Sequence, residues 1–234
     1  MIRKIIPKKI KLQLKIAHRF YTDLLNLNHT KFASTNGNSK NLKHKLSLSQ
    51  KIKITSASAN KIENILIAAK KIEKVIINPN EVFSFWKIVG KASENNGFKK
   101  GRNIISGELT EDFGGGLCQV SGIIYHISLL ANLQIVERFN HTVDIYTDES
   151  RYTPLGADAT VVYAYKDLRI RNNYDFPITF KLSVNKDLFT VELMSEKPLA
   201  MQDISFKTIE NPENKRVITY NQNNQVIAES IYLK

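Results

Sequence analysis

One cysteine among 234 residues leaves no partner for an internal disulfide, and neither a cysteine-rich zinc site nor a CxxC redox motif can be assembled from it. That scarcity points to a reducing compartment. No run of 18 apolar residues occurs, and the N-terminus lacks the uninterrupted apolar segment of a signal peptide. The expectation is a cytoplasmic chain, at most peripheral to a membrane, with no span and no export signal. Acid is also scarce at one end. Residues 1–53 hold 13 lysines and arginines against the single acid Asp23, which leaves 21 of the 34 basic and 21 of the 22 acidic side chains for residues 54–234. The net charge of +12 therefore belongs to an N-terminal arm. A neutral body argues against nucleic acid as a partner, because a basic binding face should extend over the globular part.

What is present reads as helices followed by strands. Residues 8–27 have helical periodicity, with Ile10, Leu14, Ala17, Tyr21, Leu24 and Leu25 on one face and basic residues over much of the rest. Such a helix packs on its own core, lies on an anionic membrane or grips a partner. A turn-rich linker follows at 34–41, and a short alternation at Leu46, Leu48, Ile52 and Ile54. Asn60 and Glu63 resemble an N-cap and its capping-box partner for a second helix to about Ile76, ended by Asn78-Pro79. The aromatic run Val82–Trp86 suggests a buried strand or anchoring loop. A long loop punctuated by Gly90, Gly97, Gly101 and Gly107 leads to Gly114-Gly115-Gly116 and an apolar helix over 117–133. Alternation predicts strands from Ile135 to Ile145, from Asp158 through ADATVVYAY, and at 168–171, 178–184 and 188–194, the last two joined by Asn185-Lys186-Asp187; a hairpin is expected within 215–232. The expected class is α+β: N-terminal helices and a central buried helix on a mainly antiparallel sheet. The expected divisions are a basic arm and linker over 1–58, an α+β domain over 59–198 and a polar tail over 199–234.

The chemistry concentrates on Gly114-Gly115-Gly116-Leu117-Cys118-Gln119-Val120-Ser121. Three glycines suit positive φ or a close approach to the backbone. A thiol in the first turn of a helix sits among unpaired N–H groups that favour its thiolate. Cys118 reads either as a small buried hydrophobe or as a nucleophile. For the second reading His141 is the candidate base and Asp158 its orienter, with Gln119 or the amides of Gly114, Gly115, Gly116 and Cys118 for an oxyanion, and Ser121 in the same ligand loop. His126 is rotated about 80° from Cys118 and lies about 12 Å along the helix, which removes it from that role. His18, His29 and His44 fall in the basic arm. The triplet lacks the lysine of a P-loop and the strand-linked GxGxxG of a dinucleotide site. No HxxxH-type pair supports a metal, so neither metal nor cofactor is expected.

Several ordered blocks carry a further likeness: Asn78-Pro79 with Phe83-Ser84-Phe85, GGGLCQVSGIIYH, Glu137-Arg138 with Asn140-His141, Pro154-Leu155-Gly156 with Asp158-Ala159-Thr160, and Asp167-Leu168-Arg169-Ile170 with Asn172-Asn173. Together, over roughly residues 60–195, they resemble the VanW family. The resemblance implies a bacterial protein, in some members an accessory of glycopeptide resistance gene clusters, and carries Gly114, Gly115, Gly116, Cys118, Gln119, His141 and Asp158 as family positions. The Cys, His, Asp order on helix, strand and strand is similar to transglutaminase-like and papain-like thiol enzymes. One expectation is a thiol acyltransferase, amidase or peptidase acting on a cell-wall peptide or its precursor. Another is a non-catalytic module binding muropeptide or glycan in a groove of the glycine loop, Phe83, Phe85 and Trp86. A third is a membrane-surface scaffold using the basic helix. The sequence leaves the oligomeric state open.

Overall fold

A computed structural model describes residues 7–25, 31–34, 42–54, 58–105, 108–144 and 151–234. Most of the linker 34–41, and His29, Gly107 and Ile145, lie outside those residues. The core is built around helix α4, Leu117–Leu130, whose sequence LCQVSGIIYHISLL is apolar on every side. A helix without a polar face has to be enclosed. Eleven of its residues are buried, and it is packed by helix α2 (Ser58–Ile72) and by strands from two different sheets.

One of those sheets is antiparallel and contains β2 (His44–Lys51), β9 (Leu188–Ser195) and β8 (Ile178–Asn185), in that order. Strand β2 pairs with β9 along its whole length, and Leu46 and Leu48 pack on the core. The tight turn between β8 and β9 places Lys186 at φ 55°. The other sheet has the order β1 (Lys31–Phe32), β3 (Glu81–Ser84), β7 (Arg169–Arg171), β6 (Gln134–Glu137), with β1 and β3 parallel and the rest antiparallel. Helices and mainly antiparallel sheets make the fold α+β, as the order of sequence patterns predicts. Helix α1 (Lys8–Leu25) matches its periodicity, and no helix among the described residues is long and apolar enough to cross a membrane.

Several local expectations fail for identifiable reasons. Asn60 lies inside α2 rather than capping it, and its amide donates to the Lys100 carbonyl. The helix stops at Ile72, well before Asn78-Pro79, because Val75 to Ile77 are drawn into the core and Ile77 bridges to Ile178 in β8. The aromatic run divides: Ser84 closes β3 and caps the short helix α3 (Phe85–Val89) by accepting from Lys87 N. Within the supposed long loop, β4 (Lys100–Ile105) and β5 (Glu108–Phe113) form a hairpin. The expected strand 135–145 ends at Glu137, where a register shift between Ile135 and Glu137 breaks the alternation, and Asp158 does not open a strand. The hairpin expected within 215–232 does form, and it is extended to a three-stranded antiparallel sheet of β10 (Ile204–Glu210), β11 (Asn214–Asn221) and β12 (Val226–Leu233).

Candidate active site

The turn that starts α4 has a steric explanation. Gly114 and Gly116 hold φ of 91° and 98°, a region costly for residues with a Cβ. A Cβ on Gly114 would fall 2.7 Å from Ala92 Cβ, and one on Gly116 would fall 2.8 Å from Lys61 Cγ. Fully buried Asn64 of α2 fastens the turn: its Nδ2 donates to the carbonyls of Lys99 and Gly115, and its Oδ1 accepts from Lys99 N. The glycines thus let the chain enter α4 flush against α2. Leu117 is buried at the start of the helix and Cys118 is left partly exposed in its first turn. The carbonyl of Gly114 accepts from Leu117 N, and that of Gly116 from Gln119 N and Val120 N. Cys118 N–H has no acceptor among the described residues, as expected of a first-turn amide.

A second segment, 157–161, is drawn across this turn. Ser121 donates from Oγ to the Ala159 carbonyl at 2.7 Å, and a Cβ on Gly122 would already touch Ala159 N at 3.6 Å. This close crossing puts Thr160 Oγ1 3.6 Å from the Cys118 sulfur and the Val161 carbonyl 3.9 Å from it. A third segment follows β6 and is tied to the second by Thr160 N donating to Phe139 O. It carries His141, whose backbone N–H and ring Nδ1 both meet Asp158 Oδ2, at 2.8 and 2.6 Å. An ionised carboxylate only accepts, so Nδ1 carries a proton and Nε2 is the nitrogen left for the thiol. The His141 ring and the Cys118 thiol lie near enough to act on each other's charge, while the sulfur's own hydrogen-bond contacts are with Thr160 and the Val161 carbonyl.

The electrostatics follow from this chain of contacts. Burial pushes the Cys118 thiol up, but the neighbouring His141 ring, with the Val161 carbonyl and the Thr160 hydroxyl, outweighs it and holds the thiol below its ordinary value. Burial opposes charge on His141, whereas Asp158 and the Cys118 thiolate favour it and raise its pKa to about 10. Burial also disfavours the Asp158 carboxylate, yet His141, Arg138 and Tyr232 bring it down to about 2. The interactions thus favour the charged form of each group: thiolate on Cys118, imidazolium on His141 and carboxylate on Asp158.

Sequence reasoning missed the groups that hold Asp158. Arg138 donates from Nη2 to Asp158 Oδ1 at 3.0 Å, from Nε to the Asp158 carbonyl at 2.7 Å and from Nη1 to Ser230 Oγ at 2.6 Å; its guanidinium lies over the Tyr125 ring. The Tyr232 hydroxyl donates to Asp158 Oδ1 and accepts from Gly156 N. Ser230 and Tyr232 belong to β12. Arg138 stands in the family-like block Glu137-Arg138, but alternation assigns it to the polar face of a strand and gives it no partner.

Other candidates are placed differently. The Gln119 side chain points to β2, where Nε2 donates to the Lys51 carbonyl at 3.1 Å, and it is not brought onto the Cys118–His141 pair. The Gly114, Gly115 and Gly116 turn is packed on α2, and Ser121 ties α4 to residue 159. Phe83 and Phe85 are fully buried and Trp86 donates to the Lys166 carbonyl, so no open aromatic groove forms from the two phenylalanines. His126 abuts Thr153 and Phe206, and burial lowers its pKa to about 4. A small pocket lies beside the site against His141, Asp158, Tyr232, Pro154 and the Asp144–Arg151 ion pair. Among the described residues no cluster of three or more His, Cys, Asp or Glu is arranged to hold a metal.

Comparison with known proteins adds to this geometry. A sequence profile of the family described as "VanW like protein" matches residues 60–194. The chain is 40% identical over 126 residues to the uncharacterized protein YoaR of Bacillus subtilis (strain 168), covering 54% of this chain and 40% of YoaR. It is 30% identical over 152 residues to the vancomycin B-type resistance protein VanW of Enterococcus faecalis (strain ATCC 700802 / V583), covering 64% of this chain and 55% of that protein. The chain thus spans about half the length of these curated relatives. No solved structure matches it.

Proposed function

The chain belongs to the VanW family, and from that premise we propose that it is a cysteine-dependent acyl-transfer enzyme acting on a cell-wall peptide or its precursor. The observation that supports this reading is the His141–Asp158 pair, hydrogen-bonded at 2.6 Å, beside a first-turn thiol on which the imidazole acts electrostatically. Cys118 as thiolate attacks a carbonyl carbon. The developing oxyanion is met by the unbonded Cys118 N–H at the helix start. Protonated His141 then gives its proton to the leaving group, and the thioester passes its acyl group to water or to an amine. Asp158 keeps Nδ1 protonated and the ring in plane, the role an orienting carboxylate plays in thiol and serine triads. The resistance function in the name of the Enterococcus relative motivates the cell-wall substrate, and a small pocket lined by His141 and Asp158 marks the side from which it would approach.

The test is alkylation of Cys118 by iodoacetamide, followed by mass spectrometry of the intact chain. Cys118 should react faster than glutathione at pH 7, and His141→Ala should slow it at least tenfold with the circular dichroism spectrum unchanged. A thiol in the folded protein that does not react, or one indifferent to His141, overturns the catalytic reading.

A second reading is ligand binding without chemistry. It is favoured by one observation: the pocket is lined by His141 and Asp158 but not by Cys118. Under it, Cys118→Ser keeps both affinity for muropeptide and any resistance phenotype. Loss of the phenotype by a folded Cys118→Ser protein removes it.

A further inference from the structure

Helix α1 is mounted with its apolar stripe facing away from the protein. Arg19 donates to both Glu137 oxygens at 2.6 and 2.7 Å and to the Tyr165 carbonyl at 3.2 Å. Asp23 accepts from Arg169 at 2.7 Å and pairs with Lys87 at 3.0 Å. These contacts, with half-buried Leu12 and Ile16 on the same side of the helix, fix it on β6, β7 and α3. The opposite arc carries Ile10, Leu14, Phe20, Tyr21, Leu24 and Leu25, each between 48% and 66% exposed. At 100° per residue these six fall within about 140° of one another, and Ala17 lies among them. This is the reverse of ordinary packing, in which such a stripe would enter the core and the charges would face water.

The flanks of the stripe are cationic. Lys9 borders it on one side. Exposed His18 and then Lys15, whose ammonium lies over the Tyr165 ring at 6.0 Å, border it on the other. No carboxylate among the described residues pairs with Lys9 or Lys15. The surrounding residues 1–53 contain Asp23 as their only acid, and Asp23 is already engaged with Arg169 and Lys87. An apolar strip edged by cations on long stems fits one kind of surface: acyl chains beneath the strip and anionic headgroups along its edges. A second copy of the same helix would bring like-charged edges together and fits worse.

We propose that α1 is an anchor that docks the folded protein on anionic membrane surfaces through Ile10, Leu14, Tyr21, Leu24 and Leu25. The helix lies in the headgroup plane and does not span it. The ion pairs of Arg19 and Asp23 hold the body directly above, so the protein docks in one orientation. Docking is independent of any chemistry at Cys118.

The test uses the full chain with large unilamellar vesicles, either pure phosphatidylcholine or phosphatidylcholine with 30% phosphatidylglycerol, in a sedimentation assay at two salt concentrations. The Leu14→Gln/Leu24→Gln protein keeps the charge and alters two exposed positions, so the fold is retained. Expected is binding to the anionic vesicles at least tenfold tighter than to neutral ones, weakening with salt, and lowered at least tenfold by the double substitution. Equal binding by the double variant overturns the proposal, because charge alone would then explain it. Equal binding to both vesicle types overturns the anionic requirement. Absence of vesicle binding together with a dimer that dissociates on the double substitution assigns the face to a second copy and also overturns it.

Discussion

Replacing Tyr232 by phenylalanine isolates the contribution of the C-terminal sheet to the site. The ring stays and only the hydroxyl is lost, from a side chain that is 2% exposed. That hydroxyl donates to the Asp158 carboxylate and accepts from Gly156 N–H. A buried hydrogen bond to a charged group contributes about 1.5–3 kcal/mol, and an orphaned buried N–H costs about 1–3 kcal/mol. With partial relaxation the expected loss is about 3 kcal/mol, a fall in Tm of roughly 6–12 °C for a chain of this size. Calorimetry or thermal circular dichroism measures it directly. Pairing the substitution with Asp158→Asn in a double-mutant cycle tests the cause. If Tyr232 acts through Asp158, the two losses should fall short of additivity by about 1 kcal/mol or more. A Tm shift below a degree, or losses that add within about 0.5 kcal/mol, would refute the conclusion that β12 supports the carboxylate.

Three further outcomes are expected. Gly116→Ala should cost about 2 kcal/mol or more in urea unfolding, because its φ of 98° disfavours a Cβ and the new methyl would meet Lys61 Cγ at 2.8 Å; Gly101→Ala, whose Cβ comes no closer than 3.5 Å to Gly115 Cα, should cost less. Asp23→Asn should leave the Tm of the body nearly unchanged while limited trypsin digestion cuts at Lys15 or Arg19 roughly tenfold faster, reporting local release of α1 from Arg169 and Lys87. Acidification should destabilise the chain in two stages. His126, with its folded pKa lowered to about 4, is neutral in the fold, so stability present above pH 6.5 is lost as pH falls from there toward 4, by at most about 3 kcal/mol; Asp158, at about 2 in the fold, adds a loss below its ordinary value near 3.8. His126→Phe should abolish the first stage. His141 contributes with the opposite sign: its stabilisation is complete below pH 6.5 and disappears as pH rises through about 10.

Local chemistry in the sequence singles out Cys118, His141 and Asp158, a thiol at a glycine-rich helix start, an imidazole and a carboxylate, and the fold brings the three into one neighbourhood. Sequence also sufficed for the class α+β, for α1, for the enclosed α4 and for the β8–β9 hairpin, whose periodicities are long and uninterrupted. Short patterns failed where distant contacts overrode them. The alternation from Ile135 onward predicted a strand carrying His141, but a bulge ends β6, and Arg138 turns inward to bind Asp158, Gly156 and Ser230. Gln119 looked suited to an oxyanion by adjacency alone, yet the helix rotates it onto Lys51. The direction in which α1 presents its stripe was undecidable from periodicity, since an amphipathic helix has the same pattern whichever face is covered. Only tertiary structure decided it, through Arg19 and Asp23, whose charged partners Glu137, Arg169 and Lys87 stand far along the chain. The same holds for Tyr232: a polar tail carries no sign of the carboxylate it supports, and 74 residues of chain must fold before the hydroxyl and Asp158 meet.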